Sequence, residues 1–121
     1  SRARTNTPLQ SLVLLNDVQF VEASRNYAER IMQEGGADID ARIQFAFKEA
    51  LGRLPEAWEV ETAKAAYLRE LKNYQSNAGA AQALLSQGES DRDESLPPAE
   101  VAAWTAVASM IFNTYEFITR G

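Results

Sequence analysis

Asp38, Asp40 and Glu49 stand at positions one, three and twelve of the spacing used by calcium-binding EF-hand loops. Inside the loop the match fails. Arg42 stands where an oxygen ligand is needed, and Ile43 takes the place of the glycine that makes the sharp turn. Asp38 or Asp40 therefore reads as the cap of a helix. Glu22 and Glu29 lie two turns apart and, if buried together, could do acid–base work or hold two irons. A di-iron bundle needs Glu-x-x-His pairs, and the chain has no histidine. Arg25 stands three residues from one and four from the other, so ordinary surface ion pairs are expected. Asp91 and Asp93 lack the glycine and ordered spacing of a cation loop and read as solvated acid.

Trp58, Trp104 and the four tyrosines could form a sugar-stacking platform. Trp104 stands in the most apolar part of the chain and reads as core. Trp58, among Glu56, Glu59 and Glu61, reads as a surface or interface aromatic. The opening Arg4-Thr5-Asn6-Thr7 and the closing Asn113-Thr114-Tyr115-Glu116-Phe117 set hydrogen-bonding side chains beside strongly apolar segments. Capping explains them simply. The sharper reading is a shared polar network or interface drawing on Arg4, Asn6, Asn113 and Glu116, with Trp58 as a further interface candidate.

Composition narrows the field. With 12 Lys and Arg against 17 Asp and Glu, the net charge is −5, which argues against nucleic acid and anionic membrane as partners. Absence of both Cys and His removes disulfides, thiol nucleophiles, zinc fingers and imidazole-dependent triads, so no cofactor is expected. The longest strongly apolar run, Val101 to Phe112, falls short of the ~20 residues a bilayer needs, so no membrane insertion is expected. The 45% apolar and 24% charged residues are ordinary for a globular domain, and the length suits one domain over residues 1–121. The chain opens without Met and reads as a piece of a longer protein.

The elements that would position these residues are all helical. Thr7-Pro8 starts a short helix to Leu15 whose Leu9, Leu12, Val13, Leu14 and Leu15 demand cover. That cover is expected from the last helix, with Leu12 or Val13 touching Val101–Phe112. Asp17 caps a helix to about Gln33, stopped by Gly35-Gly36. A third helix, capped by Asp38 or Asp40, runs to Leu51 and ends at Gly52. Pro55 starts a fourth, to about Gln75, and Asn77 caps a short fifth over Ala78 to Ser86. Residues 88–98 read as an exposed acidic loop ending in Pro97-Pro98. The last helix, Ala99 to about Asn113, has Glu100 as its single charge up to Phe112 and belongs at the centre. The expectation is an all-α, irregular up-and-down bundle of five or six helices around a central, strongly apolar C-terminal helix.

Arg4 to Gln10, Leu12 to Asp17 and Gln19 to Ala23 together resemble the start of the C-terminal region of the planctomycete PSD-one family, domain of unknown function fifteen fifty-three. Later landmarks agree in order: Ala41-Arg42, Phe47, Ala50 to Arg53 with Pro55, Leu84-Leu85, Gly88-Glu89, Ala102 to Ala108, and Asn113 with Glu116 to Arg120. Departures fall at Thr114-Tyr115 and at Leu54-Pro55-Glu56-Ala57. The resemblance implies a large, exported or periplasmic parent, with a cytochrome-c-like segment upstream and this chain at its C-terminal extreme. It implies no established reaction and no catalytic residues. The expected function is a non-catalytic helical module that packs on upstream domains of that parent or on a protein partner. The alternative is an accessory part of a polysaccharide-active or redox enzyme whose catalytic groups lie upstream.

Overall fold

The computed structural model describes residues 17–114. Among them are five helices and no strand: α1 Val18–Glu34, α2 Ile39–Leu51, α3 Ala57–Ser76, α4 Ala78–Leu85 and α5 Pro98–Phe112. The protein is all-α and bundle-like. The expected helix Pro8–Leu15 lies outside the described residues, as does its pairing with the last helix.

Local chemistry sets the ends. The Asp17 carboxylate accepts from the N–H groups of Gln19 at 2.8 Å and Phe20 at 3.3 Å, satisfying donors that α1 leaves orphaned. Asp38 does the same for α2 through Ala41 N–H at 2.7 Å, and Asn77 for α4 through Ala80 N–H at 3.0 Å. Gly52 closes α2 in the left-handed conformation, φ 76°, which a side chain would resist. The start of α3 corrects the sequence expectation. Pro55 precedes the helix and Glu56 is its N-cap, because the Glu59 carboxylate reaches back to the Glu56 N–H at 2.9 Å. Proline does open α5, where its missing N–H costs nothing.

Cross-links fix the directions. Tyr27 donates its hydroxyl to Ala46 O at 2.6 Å, and Arg42 reaches Met32 O at 3.2 Å, so α1 and α2 form an antiparallel hairpin. Arg53–Glu59 at 2.8 Å and Lys64–Asp40 at 3.4 Å fold α3 back along α2. Phe112 sits between Phe20 and Tyr27, at ring separations of 6.2 and 5.2 Å, which brings the end of α5 to the start of α1. Tyr67 stacks on Trp104 at 4.3 Å and joins α3 to α5. Helix α5 touches each of the other four helices. Its residues Val101 to Ile111 are all buried, and Trp104 is fully covered. Thr105 and Ser109 remain tolerable there because their hydroxyls donate to Val101 O at 2.7 Å and Ala106 O at 2.8 Å. Ile31, Ile43, Phe47, Val107 and Ile111 complete the buried centre, each contributing roughly 1.5–3 kcal/mol.

Candidate functional site

Glu22, Arg25, Glu29 and Gln33 follow one another at three- and four-residue steps, so α1 presents them as one stripe. The segment between α4 and α5 lies along that stripe. Arg25 is fully buried. Its guanidinium donates to Glu29 Oε2 at 3.0 Å, to Ser90 O at 2.8 Å, to Ser90 Oγ at 2.7 Å and to Asp91 O at 3.4 Å. The expectation of a surface ion pair at Arg25 is thereby corrected: a loop 65 positions downstream covers it. Glu29 also accepts from the Asp93 N–H at 3.0 Å. Glu22 Oε2 accepts from the N–H groups of Glu89, at 3.0 Å, and Ser90. Gln33 donates to Asp93 Oδ2 at 2.8 Å.

Hydrogen bonds from Ser90, first from its side chain and then its backbone, hold the Glu22 carboxyl below the usual carboxylate range. Hydrogen bonds from Ser95 and Gln33 do the same for Asp93. Both groups are carboxylates at neutral pH and are occupied in accepting hydrogen bonds. Glu22 and Glu29 therefore act as two clamps on one loop. Gly88 makes the clamp possible. Its φ is 91°, and a Cβ there would overlap the Glu22 carboxylate.

A second charged pair pins the corner between α2 and α3. Arg53 makes a two-pronged contact with Glu59, 2.8 Å on each arm. Burial works to raise the Glu59 pKa, but the Arg53 hydrogen bonds, the Glu56 N–H and the Arg53 charge outweigh it and leave it below its ordinary value. Burial pushes the Tyr27 hydroxyl up to about 12, so it stays a hydrogen-bond donor at physiological pH.

The remaining sequence candidates are dispersed. Asp38 caps α2, Asp40 faces Lys64 across a 3.4 Å pair, and Glu49 accepts from Arg30 at 3.0 Å. Among the described residues no three carboxylates converge as a metal site would require. Trp58 is 54% exposed, with its indole N–H on Glu56 Oε1 at 3.1 Å. Asn113 donates its amide to Ser109 O at 2.7 Å, back into its own helix. Arg4, Asn6 and Glu116 lie outside the described residues, so the network they were expected to share with Asn113 does too. A shallow groove of about 470 Å³ runs along α3, lined by Glu61, Thr62, Ala65, Ala66 and Arg69 with Met110 contributed by α5. No helix among the described residues is long and apolar enough to cross a membrane.

Sequence reasoning missed the loop clamp and the Arg53–Glu59 corner. The first leaves only one local trace, a glycine ahead of the acidic run; the second could have been found from Glu-x-x-Glu after a proline, a variant of the capping-box pattern.

The comparison with protein families decides the relationship. Residues 1–67 match the family model PSD1, described as "Protein of unknown function (DUF1553)". The chain belongs to this family. The matched stretch carries α1, α2, the Arg53–Glu59 corner and the first half of α3. No curated protein and no solved structure matches the chain.

Proposed function

We propose that this chain is a non-catalytic helical module that structures the C-terminal end of a large exported protein and packs on its upstream domains or on a protein partner. The observation that supports this reading most is the use made of the charged stripe on α1. Arg25 donates to the Ser90 and Asp91 carbonyls, and Glu22 and Glu29 accept from loop N–H groups, which is structural work. Arg53 and Glu59 spend theirs on each other and on a helix start. The groove on α3 is floored by Thr62, Ala65, Ala66 and Met110, small or apolar groups suited to packing, with Glu61 and Arg69 at its charged positions. Export and the C-terminal place in the parent rest on the family resemblance alone.

The test uses the 121-residue chain. Under this reading it unfolds in one cooperative transition and gives no turnover with soluble oligosaccharides or with redox dyes. Arg25→Ala lowers its melting midpoint. Turnover, or saturable oligosaccharide binding abolished by Trp58→Ala, would overturn the module reading in favour of an accessory role in a polysaccharide-active enzyme.

A further inference from the structure

Helix α3 buries one side and leaves the other to water. Ala63, Ala66 and Tyr67 are buried. The opposite side carries Trp58, Glu61, Ala65, Leu68, Arg69 and Lys72, all exposed. Trp58 is 54% exposed and Leu68 47%, unusual values for side chains of that size and apolarity. Trp58, Ala65 and Lys72 repeat every seven residues, so they fall almost on one line along the helix. Glu61 and Arg69 flank that line, one on each side.

Charge on this face is sorted along the helix. Glu61 lies in the first half, Arg69 and Lys72 in the second. Arg69 reaches its neighbour Glu70 at 3.5 Å and keeps its side chain 53% exposed. Neither Glu61 nor Lys72 forms an ion pair among the described residues. The pattern is centred on Ala65. Glu61 and Arg69 stand four residues either side of it, about 6 Å along the axis, and Trp58 and Lys72 stand seven residues either side, about 10 Å. A two-fold axis passing at Ala65, perpendicular to α3, would set every one of these groups at the height of its complement. Carboxylate then meets guanidinium, and ammonium meets the indole face. Alanine at the axis has no bulk to hold the two helices apart. A parallel copy in register would instead set Glu61 on Glu61 and Arg69 on Arg69.

We infer that a second copy of this chain packs on this face, antiparallel α3 against α3 about a two-fold axis at Ala65. The occupant is a second copy because all the complementary groups belong to one helix and are symmetric about one residue. Trp58, Ala65 and Leu68 supply the apolar contact. The 20 residues of α3 span about 30 Å. A contact along one helix of that length belongs to the small class of specific interfaces, so the dimer is weak, with a Kd of roughly 10–100 µM. This adds a partner to the module reading without depending on it.

Sedimentation equilibrium of the 121-residue chain between about 1 µM and 1 mM should show reversible monomer–dimer exchange. A chain that stays monomeric throughout would overturn the proposal. Glu61→Arg should weaken the dimer at least about tenfold, and Arg69→Glu should do the same, because two-fold symmetry sets like charges together twice. Both positions are exposed, so melting of the dilute monomers should be unchanged. An equimolar mixture of the two variants should associate at least as tightly as the original chain, since each then carries the charges that the other faces. Single variants that dimerise like the original chain, or a mixture that stays apart, would overturn the antiparallel contact. Ala65→Glu sets two carboxylates on the axis and should abolish the dimer; a dimer that survives it is built on another face. None of these outcomes alters the cooperative transition or the turnover assays that test the module reading.

Discussion

Helix α1 carries two arginine–glutamate pairs at the same four-residue spacing, Arg25 with Glu29 and Arg30 with Glu34. Their surroundings have nothing in common. Arg25 is 0% exposed and its partner's side chain 11%; Arg30 and Glu34 are 45% and 53% exposed. Arg30 also reaches Glu49 on α2 and lies 5.5 Å over the Phe45 ring, but water still bathes it. Spacing along a helix therefore fixes which side chains can meet, and distant sequence decides what the meeting is worth. The loop that covers Arg25 turns a surface motif into a buried anchor.

The largest expected effect follows from that anchor. Arg25→Ala leaves Glu29 without its cation and strips Ser90 O of its donor. Removing one member of a buried ion pair typically costs roughly 3–5 kcal/mol, because the other charge stays desolvated. Denaturant midpoints should fall by an amount in that range. Arg25→Met with Glu29→Leu should recover only part of it, since the Asp93 N–H still loses its acceptor. A loss for Arg25→Ala no larger than for an exposed arginine would show that the loop lifts away in solution.

Next comes the turn that admits the loop. Gly88 combines φ 91° with contact against the Glu22 carboxylate. Gly88→Ala must strain the backbone and displace Glu22, and a non-glycine residue held in such a conformation costs on the order of 1–3 kcal/mol. Gly79, inside α4, meets no neighbour closer than 3.6 Å and provides the control. Gly79→Ala should stabilise slightly, because alanine loses less conformational freedom in a helix. Chemical denaturation of the two variants should move in opposite directions.

These positions mark how far the sequence could be read. The caps were legible because each needs only a neighbour two to four residues away: Asp17, Asp38 (offered together with Asp40), Asn77, and the glycines at 35 and 52. Trp104 was legible because its helix is apolar on several faces. The burial of Arg25 was not, since Glu-x-x-Arg-x-x-x-Glu is the same string on a bare surface as under a loop. The start of α3 slipped by two residues because glutamate is an uncommon N-cap, and proline is the stronger local signal. Of the candidate site, Trp58 and Asn113 have described surroundings; Arg4, Asn6 and Glu116 lie outside the described residues.

Acidification should weaken the loop clamp by a smaller step. The folded pKa of Glu22 lies below its ordinary 4.5, and that of Asp93 below 3.8. A depressed carboxyl stabilises the fold fully above its ordinary value and loses that contribution as pH falls through its folded value. Melting temperature should therefore hold down to about pH 5 and decline below it. Glu59 adds to the same decline from the other corner. Glu22→Gln keeps an oxygen for the Glu89 and Ser90 N–H groups while removing the charge. It should flatten part of the decline below pH 4.5 and leave the Glu59 share in place. An unchanged profile would mean that Glu22 carries no proton linkage to folding.

The smallest effect belongs to the exposed pair. Arg30→Ala removes contacts to Glu34 and Glu49 and the stacking over Phe45. Each of these groups can turn to water instead, so nothing is left buried and unpaired. Pairs of this kind contribute little because the Coulomb gain in high dielectric barely exceeds the entropy of holding two long side chains still. The midpoint shift should be at most about a third of that for Arg25→Ala. Salt separates the two further. Raising ionic strength to 1 M shortens the screening length to about 3 Å, which should erase the exposed contribution and leave the enclosed one nearly intact. If the Arg25→Ala deficit also shrinks with salt, ions reach the clamp, and the loop between α4 and α5 opens often enough that Arg25 behaves as Arg30 does.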